Sequence, residues 1–88
     1  MNLTPIYTEE IKAKLKDSIS KEVGKNIRKI RKSKGYSMEH LAHLLDSNRQ
    51  NIYKIEHGLY CPTIATLTFI SKALDCNITE IVTLKESI

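Results

Sequence analysis

The stretch that most constrains this chain is residues 48–58, Asn-Arg-Gln-Asn-Ile-Tyr-Lys-Ile-Glu-His-Gly. Asn48 is a good helix N-cap, and Gly58 stands where a helix ends in a left-handed residue. Between them Ile52 and Ile55 lie three apart, which gives a narrow apolar face. Arg49, Gln50, Asn51, Tyr53 and Lys54 point elsewhere. A helix of two turns with so polar an outer face is poor packing material, and a solvated surface helix is its simplest reading. Arg, Gln, Asn and Lys are also the side chains that pair with base edges in a major groove.

The preceding residues sharpen the choice. Ser37 reads as an N-cap, and Leu41, Ala42, Leu44 and Leu45 form an apolar stripe with Ala42 small enough for a close helix crossing. Asp46 and Ser47 make a tight connection to Asn48. Two short helices joined by a turn of three or four residues form a helix-turn-helix unit.

Upstream, Thr8 caps an amphipathic segment with Glu9 and Glu10 in its first turn and Ile11, Leu15 and Ile19 four apart. Glu10–Lys14 and Asp17–Lys21 are supporting pairs at i,i+4. The stripe either continues through Val23, Ile27 and Ile30 or is broken at residues 18–20, with Ser20 capping a new helix. The break or kink is the preferred reading. Gly35 ends this element. Downstream, Thr63 caps a helix with Ile64, Leu67, Ile70, Ala73 and Leu74 inward. Ala65, Thr68 and Phe69 make its outer face unusually uncharged, which suggests a covered surface. Thr79 caps a last helix, where Ile78, Ile81 and Val82 cannot all face inward; Leu84 and Ile88 add to that apolar excess.

Charge is distributed unevenly. The 88-residue chain carries a formal net charge of +4, and ten of its 14 Lys and Arg residues lie between Lys12 and Lys34. Only Glu22 offsets the positive charges between Lys21 and Lys34. Such a segment can meet a polyanion. No apolar run is long enough to span a membrane, and no signal-peptide pattern is present. Cys61 and Cys76 are isolated, which fits reduced thiols in the cytoplasm. His40 and His43 lie three apart on a helix without further ligands nearby, so no metal site is expected. Nothing supports an enzyme: no nucleophile with a base, no phosphate-cradling glycine loop, no cofactor motif.

Taken in order, residues 24–37 (Gly-Lys-Asn-Ile-Arg-Lys-Ile-Arg-Lys-Ser-Lys-Gly-Tyr-Ser), residues 39–42, Asn48-Arg49, residues 52–58 and residues 62–67 resemble the phage-repressor and Cro-like (XRE-type) DNA-binding family. The resemblance runs from Val23 to about Val82. It implies an all-α, five-helix lambda-repressor-like domain over residues 21–88, with residues 1–20 as an N-terminal helical extension. The helix after Asn48 would enter the major groove of double-stranded DNA, and the one before it would lie across the backbone. Matched by position, Arg49, Gln50 and Lys54 would read bases. Asn51 and Tyr53 are second-tier contacts, to a phosphate and to a thymine methyl or sugar.

Asn48, His57, Tyr60, Lys25 and Met38 fall where backbone contacts are expected, and Arg31 and Glu56 match a structural ion pair. Three residues depart from the family pattern: Met38 replaces a bracing glutamine, Asp46 a turn glycine, and Ser47 a buried aliphatic plug. The implied function is a transcriptional regulator that binds a near-palindromic operator as a homodimer, nucleoid-associated when on DNA. Phe69, Val82 and Leu84 are the expected dimer or partner surface. Alternatively, Ile11, Leu15 and Ile19 fold back over Phe69. Other roles open to such a chain are a restriction-modification controller, an antitoxin binding its toxin through the N-terminal helix or the last two helices, and an interaction module that no longer binds DNA.

Overall fold

A computed structural model describes residues 4–85, which form five helices and no strand. The elements are α1 (Glu9–Ser33), α2 (Met38–Leu44), α3 (Arg49–Glu56), α4 (Ile64–Ala73) and α5 (Ile78–Val82). Ile88 lies outside the described residues.

Caps explain most of these boundaries. The side chains of Thr8, Ser37, Asn48 and Thr63 each accept a hydrogen bond from the backbone N–H three residues on, and so satisfy a donor that the helix leaves open. At the start of α5 the N-cap is Asn77 rather than Thr79. There the Glu80 carboxylate accepts from the Asn77 N–H at 3.0 Å, a reciprocal box that sets the helix two residues earlier. Lys34 caps α1, and Gly35 follows it with φ +74°. Gly58 ends α3 at φ +66°, and Asp46 takes φ +50° in the turn after α2.

The expected break at residues 18–20 is absent, because α1 is continuous through them for 25 residues. The Ser20 hydroxyl donates to the Lys16 carbonyl at 2.8 Å, so its polar group is satisfied inside the helix instead of capping a new one. Extending an existing helix also avoids a second nucleation step. The 20/21 position therefore falls inside a single rod of about 37 Å.

One core holds the elements together: Val23 and Ile27 of α1, Leu41 and Ala42 of α2, Ile52 and Ile55 of α3, Leu67 and Ile70 of α4 with Leu74 beyond it, and Ile81 of α5. Two expected core residues point outward. Ile64 is 70% exposed, because the first position of α4 precedes its contact with the core. Leu44, at the end of α2, is 46% exposed beside Phe69. Ile11, Leu15 and Ile19 do not cover Phe69, which stays 60% exposed; of the three, Ile19 packs on the core. The C-terminal end is clasped by Asn26 of α1, whose amide donates to the carbonyls of Ile81 and Thr83 at 2.8 and 2.9 Å.

Gly24 sits mid-helix, where glycine costs about 0.5–1 kcal/mol relative to alanine. The reason is a backbone-to-backbone crossing: a Cβ at this position would run into the carbonyl oxygens of Ile55 and Glu56. A side chain at Gly58 would likewise meet the backbone of Lys21. Gly24→Ala is therefore expected to destabilise the fold by about 1–3 kcal/mol despite its better helix propensity. Urea unfolding checks this, and a gain in stability would mean that α1 and α3 sit further apart.

Candidate nucleic-acid interface

α3 presents two chemically distinct faces. Ile52, Ile55 and Glu56 are buried, while Arg49, Gln50, Asn51, Tyr53 and Lys54 are exposed. Four of these, Arg49, Gln50, Tyr53 and Lys54, line one shallow recess together with Leu59. The recess combines two cations, one amide and one phenol, with an exposed leucine at its edge. Leu59 was not legible as a member of this surface, since it follows the helix and carries no polar group. Only its place directly after the left-handed Gly58 hints that the chain doubles back beside α3.

The remaining candidates separate. Asn48 uses its side-chain oxygen to cap α3 at 2.9 Å, and the Asn51 amide donates to the Ser47 hydroxyl at 3.1 Å. Both thus brace the turn. The His57 ring stacks on Tyr53 with centroids 3.9 Å apart, and its Nδ1 donates to the Tyr53 carbonyl at 2.9 Å. Tyr60 is exposed in the loop after α3. Met38 is half-buried and packs against the core, so its side chain serves as filling. Lys25 lies on α1 near Glu22, whose carboxylate is also 3.7 Å from Lys85; these three form a cluster of their own.

A contact absent from the expected set joins the two helices of the motif. Arg49 Nε lies 2.9 Å from the Glu39 carboxylate, with both side chains more than half exposed.

Behind the face lies the pair formed by Arg31 and Glu56. The guanidinium donates to both carboxylate oxygens, Nε to Oε2 at 2.6 Å and Nη2 to Oε1 at 2.9 Å, and Nη1 donates to the Tyr36 carbonyl at 2.7 Å. Both charged groups are almost fully buried. The hydrogen bonds to Glu56 hold the Arg31 pKa above the ordinary arginine value against the opposing effect of burial. Burial pushes the Cys76 thiol up, whereas Cys61 is exposed. His40 meets Tyr36 edge-on, with centroids 4.5 Å apart. Among the described residues no group of three potential metal ligands occurs, and no helix is long and apolar enough to cross a membrane.

α2, the turn and α3 form a helix-turn-helix unit, the DNA-binding motif of many transcription regulators. The chain belongs to the HTH_3 helix-turn-helix family, which it matches over residues 27–81. It is 29% identical over 66 residues to the competence pilus inhibition repressor of Acinetobacter baylyi; that match covers 75% of this chain but only 60% of the relative's length. Among solved structures it resembles the restriction-modification controller protein C.AhdI from Aeromonas hydrophila, at 28% identity and a TM-score of 0.67, over 69% of this chain and 88% of that one. An HTH_3 family transcriptional regulator from Vibrio cholerae is similar at 27% identity and a TM-score of 0.71, over 75% of this chain and 37% of that one.

The buried pair yields a stability prediction. Arg31→Met leaves the Glu56 carboxylate buried without its partner and is expected to cost about 3–5 kcal/mol. Adding Glu56→Leu should recover much of that loss, because two apolar side chains replace the stranded charge. Chemical denaturation of the single and double variants decides it. A loss below about 1 kcal/mol in the single variant would mark a solvated pair.

Proposed function

We propose that this protein is a sequence-specific transcriptional regulator that occupies a near-palindromic operator as a homodimer. The observation that carries the reading is the outward face of α3, where Arg49, Gln50 and Lys54 stand together on a helix whose opposite side is locked in the core. Arg49 suits guanine O6 and N7, Gln50 suits adenine, and Lys54 suits guanine or a phosphate. Tyr53 would offer its ring to a thymine methyl or sugar, and Tyr60 and His57 would meet the backbone beyond the helix. The lysines and arginines of α1 add to the attraction for the polyanion.

A single domain reads few base pairs, so specificity calls for two copies with half-sites about 34 Å apart. Phe69 and Leu44 border a groove with Leu45, Ala73 and the charged Asp46 and Lys72, and the exposed Val82 and half-buried Leu84 lie at and just after the end of α5. These residues are our choice for the dimer surface. A restriction-modification controller, the role of one protein the chain resembles, is one setting consistent with such a regulator.

Selection of bound duplexes from a random pool, followed by salt titration of the best site, tests the reading. A palindromic consensus is expected, with Arg49→Ala and Gln50→Ala each losing about 1–3 kcal/mol of discrimination at one base pair. Uniform weak binding, steeply salt-dependent and indifferent to both substitutions, would leave basic charge as the only contact with DNA. For the dimer, Phe69→Asp is expected to sediment as a monomer at concentrations near the wild-type dissociation constant. A variant that stays dimeric there removes Phe69 from the interface.

A further inference from the structure

The cation nearest the start of α3 is not free. Arg49 is its first residue, and Glu39 is the second residue of α2. Both positions are fixed by caps: the Ser37 hydroxyl accepts from His40 N–H at 3.0 Å, and Asn48 holds the N–H of Asn51. The carboxylate of Glu39 therefore has a defined origin, and it reaches across the turn to within 2.9 Å of Arg49 Nε. An acidic side chain on a face meant for phosphates is otherwise a liability, because its field repels every duplex equally. Met38, beside it, is turned toward the core and offers the reading helix no polar brace.

We infer that Glu39 is a positioning residue for base recognition: it holds the Arg49 guanidinium from the Nε side, so that the terminal Nη edge is presented to a guanine. The inference rests on the reading of Arg49 as a base contact. Its physical basis is twofold. A free arginine loses considerable rotamer freedom when it docks, and a guanidinium already held in place loses less. A bidentate contact to O6 and N7 also needs the guanidinium plane oriented, which a point attraction to phosphate does not. Glu39 thus weakens general attraction to DNA while strengthening discrimination at one base pair.

The test is a double-mutant cycle in the full chain, using the selected duplex, the same duplex substituted at the base pair that Arg49→Ala no longer discriminates, and an unrelated duplex. Glu39→Gln is expected to reduce preference at that base pair about twofold to fivefold, the upper range of an exposed ion pair. Binding to the unrelated duplex should tighten as a negative charge is removed, and preferences at other positions should hold. On the Arg49→Ala background the Glu39→Gln effect on preference should vanish. A thermal melt unchanged in Glu39→Gln shows that the fold is intact. Equal tightening on all three duplexes, with base preference retained, overturns the brace alone. If Arg49→Ala itself leaves every base preference intact, the base-reading role of Arg49 falls and takes the brace with it.

Discussion

The buried bidentate contact between Arg31 and Glu56 is the constraint on which the rest of the structure depends. Glu56 occupies the last turn of α3, where the helix dipole disfavours a carboxylate. Left facing solvent, it would also set a negative charge beside the surface that carries Arg49 and Lys54. Pairing it inward with α1 removes both penalties. The third guanidinium nitrogen donates to the Tyr36 carbonyl, so a single side chain ties α1, the entry to α2 and the end of α3. Apolar contacts alone would allow these helices to slide. A planar donor fork matched to a carboxylate does not.

The same junction explains why α1 runs on without a break. Gly24 lets its backbone lie against the last carbonyls of α3, and Lys21 lies equally close to Gly58. Residues just upstream, Ala13, Lys16, Asp17 and Ser20, then border a groove with residues 58–61. The upstream half of the helix is held by that contact and by Ile19 on the core. Its exposed ion pairs Glu9–Lys12, Glu10–Lys14 and Asp17–Lys21 add little each.

Much of this was legible in the sequence, and for identifiable reasons. Caps are local chemistry: Thr8, Ser37, Asn48 and Thr63 each do what their side chains suggest. The division of α3 into an inner and an outer face follows from the spacing of Ile52 and Ile55 alone. What local chemistry does not encode is which neighbour a residue meets. Ser20 reads more readily as a cap, but a serine can also bond to the carbonyl four back inside a helix, and packing beside the loop after Gly58 goes with that second arrangement. Ile64 and Leu44 have the right period for the core but sit at helix ends, beyond its edge. The contact of Glu39 with Arg49 joins residues ten apart across a turn, so no helical spacing announces it.

The departures at the turn show how α3 keeps its place with different chemistry. Asp46 takes up the left-handed conformation a glycine would adopt easily, at φ +50°. Ser47 lacks an aliphatic group to plug the turn, yet its N–H donates to the Ala42 carbonyl at 2.8 Å, and its hydroxyl accepts from Asn51 at 3.1 Å. Met38 supplies apolar filling where a polar brace is usual. The Ser47 hydroxyl thus adds one polar link within the turn, and the ion pair of Glu39 with Arg49 joins α2 to α3 across it. The consequence is that the surface hydrogen bonds of the turn compete with water, and the exposed ion pair is screened by salt as well, more than a packed plug would be. Orientation of α3 as a body rests on the buried pair behind it, and orientation of its side chains rests on the exposed contacts in front.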